Sequence, residues 1–196
     1  MSLAERAKAI ILRPKDTWEI VKNEETTVKE LYMSYAVILA VIPPVATFIG
    51  MTFVGLSAFG VNVRVPVLQG LVQAILNYVI CLVGLYVIAF IMTAMAPQFA
   101  SKQDMTTSMQ LVVFSYTPIW IAGILGIIPM LGLLTIIACI YSLYLLYTGL
   151  PIVLETPRDK VTVYFIAIIV ISIAIFAILA FLAGHLISSP VPPGIR

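Results

Sequence analysis

Four long stretches of this chain contain no Asp, Glu, Lys or Arg: residues 31–63, 65–101, 105–154 and 161–195. A run of about 18 apolar residues without charge is already long enough to cross a bilayer. A water-soluble domain is about 45–50% apolar and about 25% charged. This chain is 62% hydrophobic and 10% charged, so a soluble fold is excluded and an all-α membrane fold is expected. The net charge of +2 offers nothing to nucleic acid. Cys81 and Cys139 sit alone inside apolar runs, with no metal or redox spacing, and read as small core residues.

Polar and turn-forming residues divide the runs into five predicted spans. The first covers residues 31–57, with Pro43 and Pro44 inside it, and "AFGVNVRVP" (58–66) connects it to the second, 67–95. "APQFASKQDMT" (96–106) precedes the third, 107–125. "GIIPMLG" (126–132) has no charge, but its Gly and Pro residues form turns, and a fourth span then runs to 154. The loop "ETPRDK" (155–160) leads to the fifth, 161–187, and "SSPVPPGIR" (188–196) is a Pro-rich tail. Residues 107–154 are too long for one crossing: at 1.5 Å per residue they reach about twice the thickness of the hydrocarbon core.

Basic residues set the expected orientation. Arg6, Lys8, Arg13, Lys15, Lys22, Lys29, Lys102, Arg158 and Lys160 fall on one side of such a bundle, while only Arg64 and Arg196 fall on the other. The excess of Lys and Arg marks the cytoplasmic side, so the expectation is a multi-pass cell-membrane protein with a cytoplasmic N-terminus and an extracytoplasmic C-terminus. The expected division is an arm (1–30), a membrane domain (31–187) and a tail (188–196).

The arm carries six bases and six acids. Ser2 and Glu5 form a capping box, and Leu3, Ala7, Ile10 and Ile11 then share one helical face. Pro14 ends that helix and suits the first turn of a second, which places Trp18 and Val21 together. Thr27 and Glu30 form another capping box, which launches the first span. The acidic residues and the lack of an apolar core before Leu31 are unlike a signal peptide. The pattern fits an amphipathic arm on the cytoplasmic interface, in which Trp18, Leu3, Ala7, Ile10 and Ile11 matter more than the balanced charges; packing of the same face on the bundle is the competing reading.

At this point the chain resembles the prokaryotic branch of the YIP1-domain membrane proteins. The residues that carry the resemblance are the arm with its Pro14 and Trp18, the Glu-rich turn, "VIPPVATFIG" (41–50), "FSYTPIWIAGIL" (114–125) and "YLLYTGLPIVL" (144–154). It extends to about residue 183. The resemblance implies a five-span fold with a cytoplasmic amino terminus. Eukaryotic relatives are similar to Rab-associated trafficking factors of the Golgi, while the prokaryotic branch consists of inner-membrane proteins with no settled biochemical role.

Catalytic chemistry finds little support. The single His185 has no acidic neighbour and cannot by itself build a zinc site. Glu24 and Glu25 are similar to the Glu pair of intramembrane CAAX-type proteases, but Lys29 stands where those have Arg, and the later Glu and His residues are missing. No enzyme activity and no cofactor are expected. Gln69, Gln73 and Asn77 recur at i, i+4 and i+8, with Cys81 and Gly84 extending the stripe. They suggest a polar path or headgroup groove, against interhelical hydrogen bonding as the simpler reading. Pro43, Pro44, Pro118 and Pro151 mark helix kinks, with Thr47, Thr117 and Thr148 near them. Tyr141, Tyr144 and Tyr147 read as packing residues. No G-x-x-x-G occurs, so no dimer face stands out. The expected function is non-enzymatic organisation of membrane lipid or binding of partner proteins; a channel or transporter for a neutral small solute is the alternative.

Overall fold

The computed structural model describes the backbone of residues 1–58 and 61–187, and the side chains among them except at 56–62, 176, 179, 180 and 182–187. The expected tail, 188–196, and the side chain of His185 lie outside the described residues.

The chain is helical, with one small hairpin among the described residues. Helices α1 (Leu3–Leu12) and α2 (Pro14–Lys22) form the arm. The first membrane segment, Val28–Val54, is built in pieces: α3 (Val28–Leu31), a π-helical turn (Tyr32–Ala36), α4 (Val37–Ala40), α5 (Ile42–Ile49) and a second π turn (Gly50–Val54). Gly55, at φ 80°, stops it in a conformation that glycine adopts without strain. Strands β1 (Leu56–Ala58) and β2 (Val61–Val63) pair antiparallel, with Leu56 opposite Val63. Helix α6 (Val67–Met95) continues into a short 3-10 turn, Ala96–Phe99. Then come α7 (Met105–Ala122), two 3-10 turns (Gly123–Ile127 and Pro129–Leu134), α8 (Thr135–Val153) and α9 (Arg158–Ile187).

Four segments among the described residues are long and apolar enough to cross a membrane: Val28–Val54, Val67–Phe99, Met105–Ile127 and Pro129–Val153. The third and fourth expected spans are thus separate, and the break falls at Ile128, the residue before Pro129. Helix α9 adds a further 30 helical residues.

Helix α7 is the centre of the bundle, and every residue from 107 to 115 is buried. Helices α6 and α8 pack on it, α9 closes against α6 and α8, and α5 lies against the turn that follows α7. At that last contact a Cβ on Gly50 would run into the Gly126 carbonyl, and one on Gly123 would come 2.5 Å from Pro43 Cγ. Only glycine lets these backbones approach so closely, as small residues do between membrane helices.

The four prolines divide into two kinds. Pro43 and Pro44 stand in the first turn of α5, after a turn at Val41, where a missing amide costs little. Pro118 and Pro151 lie inside α7 and α8.

Candidate functional site

The arm is part of the core. The capping box forms: Glu5 N donates to Ser2 Oγ (3.3 Å) and Ser2 N to Glu5 Oε2 (2.9 Å), which holds the exposed Glu5 carboxyl below the usual carboxylate range. Ile10, Trp18 and Val21 are each 0% exposed, and Ala7 is 5% exposed; Leu3 and Ile11 are half-buried against the same cluster. Trp18 tilts on Phe114 at 6.5 Å between ring centroids, and Tyr35 meets Phe114 edge-on at 5.0 Å. The Tyr141 hydroxyl donates to the Ile11 carbonyl (2.6 Å), which ties α8 to the end of α1. The expectation of a lipid-facing arm is therefore corrected. Trp18, Leu3, Ala7, Ile10 and Ile11 turn to α7 and α8, because a socket opposite them buries the indole more completely than a membrane interface would.

Charges close over that socket. Arg6 is 8% exposed; it donates to both carboxylate oxygens of Glu24, with Nη2–Oε1 at 2.6 Å, and its guanidinium lies 5.4 Å above the Phe114 ring. Lys22 Nζ reaches Glu155 Oε1 at 3.0 Å, and Gln110 Nε2 donates to the Val21 carbonyl at 3.4 Å. Lys102 N donates to the Leu154 carbonyl (2.8 Å), and the Ser101 and Thr156 hydroxyls are 2.9 Å apart. Asp104 caps α7 by accepting from Thr107 N (2.9 Å) and from the Thr107 hydroxyl. Partial burial pushes its pKa up, but the hydrogen bonds from Thr107 and Thr106 and the charge of Lys102 outweigh that and hold its carboxyl below the usual range. The arm and the loops at 96–106 and 155–160 are thereby joined at one end of the bundle. A polar cavity of about 220 Å³ opens there beside Arg6, Glu24, Glu30 and Gln110.

The amide stripe looks elsewhere. Gln69 and Asn77 are exposed and Gln73 is half-buried. Gln73 Nε2 donates to Asn77 Oδ1 at 3.4 Å along the same helix. The stripe lines neither the polar cavity nor the apolar one described next. Of the three tyrosines on α8, Tyr144 tilts on Tyr141 at 5.7 Å and Tyr147 meets Phe165 edge-on at 5.2 Å.

A second cavity, of about 480 Å³, lies between α6, α7, α8 and α9. Its walls are aliphatic, with Ile88, Val112, Leu146 and Ile168 among them, and Ser115, Ser142, Ser172 and Tyr116 supply hydroxyls. Ser115 is 2% exposed and Ser142 4%, and neither hydroxyl has a hydrogen-bond partner. Sequence reasoning passed over these serines, since isolated hydroxyls in apolar helices carry no spacing signal. Among the described residues, no three His, Cys, Asp or Glu side chains gather as a metal site.

The family model for the Yip1 domain matches residues 8–180. The chain belongs to the Yip1 family. The match begins inside α1, so the Yip1 region takes in most of the arm together with the bundle. Two curated relatives, each named Inner membrane protein YohC, come from Escherichia coli strain K12 and strain O6:H1. Each is 24% identical to this Yip1 chain over 113 residues, which are 57% of the chain and 58% of the relative's length. No solved structure matches. Two residues that carried the family resemblance, Trp18 and Gly149, touch in the fold, and a third, Thr117, has its hydroxyl 3.0 Å from that of Tyr35. This is a multi-pass membrane protein.

Proposed function

We propose that this Yip1 protein is a non-catalytic, five-span inner-membrane protein whose cytoplasmic face docks partner proteins. Helix α9, at 1.5 Å per residue, reaches about 45 Å, more than the hydrocarbon core of about 30 Å, and would be the fifth crossing. The basic residues of the arm and the two loops then face the cytoplasm.

The observation that carries the reading is the joining of three charged segments into one surface, through Lys22–Glu155, Lys102–Leu154 and Gln110–Val21. That surface has a fixed shape and mixed charge, with Lys15, Asp16 and Glu19 exposed on α2. Interspersed signs suit a protein partner, whereas an anionic bilayer would favour an unbroken run of bases. The neutral-solute channel draws no support from Gln69, Gln73 and Asn77: the first and last are exposed, the half-buried Gln73 bonds along its own helix, and none lines the polar or the apolar cavity.

The test is site-specific photocrosslinking from position 20, where Ile20 is exposed on α2, in native membranes, repeated in a charge-reversed background, Lys15→Glu with Glu19→Lys. The reading predicts discrete crosslinked species that fall at least tenfold in the variant at equal membrane levels. Species that persist unchanged, or none from any exposed arm position, would overturn it.

A further inference from the structure

We infer that the cavity between α6, α7, α8 and α9 binds a neutral lipid that carries an uncharged carbonyl or hydroxyl oxygen on a hydrocarbon body. Four observations point to this ligand class. First, the volume of about 480 Å³ lies within the about 300–1,000 Å³ of small-molecule sites. Second, the walls are aliphatic and hold no charged side chain, so neither a phosphate nor an ammonium would find a partner there. A charged group without one is expelled from such surroundings.

Third, the hydroxyls of Ser115 and Ser142 are buried without partners, and both line this cavity. A buried polar group left unpaired is costly, and a serine inside a membrane helix ordinarily bonds back to its own backbone. Two that do not, at one cavity, mark where a ligand oxygen would sit. Each hydroxyl can donate or accept, which matches both a carbonyl and an alcohol.

Fourth, the depth is that of the bilayer interior. Ser115 stands ten residues into α7 and Ser142 eleven residues before the end of α8, each about 15 Å from the arm end at 1.5 Å per residue. Phospholipid headgroups do not reach this level, whereas neutral lipids dissolve there. Exposed Leu143 and Ile173 stand among the lining residues of α8 and α9, so the entrance faces the hydrocarbon and the bilayer is the source.

The cavity and the docking surface lie at different depths and use no common residue, so each fails separately. The full-length protein in nanodiscs would be labelled with three diazirine lipids of matched chain length: a diacylglycerol, a phosphatidylcholine and a plain alkane. The diacylglycerol should label the Leu143 and Ile173 peptides saturably, at least fivefold above the other two. Ser115→Ala with Ser142→Ala should bring diacylglycerol labelling down to the level of the other two, a fivefold or greater loss of the size two intramembrane hydrogen bonds give, while alkane labelling persists as proof that the cavity still forms. Equal labelling by all three probes, a preference that survives in the double variant, or no saturable labelling would each overturn the proposal. Carrying Lys15→Glu/Glu19→Lys through the same assay separates the two readings: unchanged lipid labelling with lost crosslinks leaves this site standing.

Discussion

The indole of Trp18 lies against the backbone of Gly149, so that a Cβ added at residue 149 would come 2.9 Å from Trp18 Cε2 and 3.1 Å from Cζ2. The two residues are far apart in the chain, and glycine on α8 is what makes the socket deep enough for the ring. Gly149→Ala therefore sets two effects against each other. Alanine favours a helix by about 1 kcal/mol over glycine. Forcing a methyl into a filled contact costs about 1–3 kcal/mol: it would meet Leu111 Cδ1 first, a chain end that can turn aside, and then the rigid indole, which cannot. The clash should win. The expected outcome is a lower thermal midpoint in detergent and faster protease cleavage of the arm, whereas a stabilised Gly149→Ala would show that the arm does not dock there.

The ion pair of Arg6 with Glu24 is the second closure of the arm. Arg6 is buried, while Glu24 keeps about a third of its side chain in solvent, so the pair is worth less than a fully buried one. Arg6→Ala removes hydrogen bonds to a charged acceptor and the contact with the Phe114 ring, a loss of about 2–3 kcal/mol. Glu24→Gln keeps one acceptor and should cost about 1 kcal/mol. A double-mutant cycle read by chemical unfolding should give a positive coupling near the smaller of these values. Zero coupling would mean that Arg6 acts only by packing on Phe114.

These two contacts mark where sequence reasoning stops. Charge-free runs locate the spans because lipid tolerates no unpaired charge. Ser2, Glu5 and Pro14 locate the arm helices because caps act locally. The apolar face of Leu3, Ala7, Ile10 and Ile11 would read the same on a bilayer or on a bundle, since only the period is written locally. What decides between them is Gly149, on a helix whose approach to α2 is a long-range packing event. The cavity was illegible for the same reason: Ser115, Ser142 and Ser172 come together only when three helices pack. The π turns at Tyr32–Ala36 and Gly50–Val54 likewise have no local signature.

For the amide stripe, periodicity placed Gln73 and Asn77 on one face but not which way the face points. Since Asn77 is exposed and the half-buried Gln73 bonds along its own helix to Asn77, replacing both with leucine removes only a bond along α6. Gln73→Leu with Asn77→Leu should leave unfolding in bicelles unchanged within about 0.5 kcal/mol, as for other exposed sites. Interhelical hydrogen bonds within this chain would instead show as a loss of about 1 kcal/mol or more for the pair.

Asp104 gives the arm end a defined response to acid. Its pKa is lower in the folded protein than in an unfolded chain, where it would be about 3.9, because Thr107 and Thr106 donate to the ionised carboxylate. A carboxyl of this kind stabilises the fold fully above the unfolded value, and the contribution disappears as pH falls through the lower, folded value. Asp104→Asn keeps a side chain that can cap α7 but cannot titrate. Unfolding of the two proteins should run parallel above about pH 5. Below about pH 4 the wild type should lose stability more steeply, so that the gap between them narrows and closes. A constant gap down to pH 2.5 would show that the cap of α7 depends on shape alone and not on the charge of Asp104.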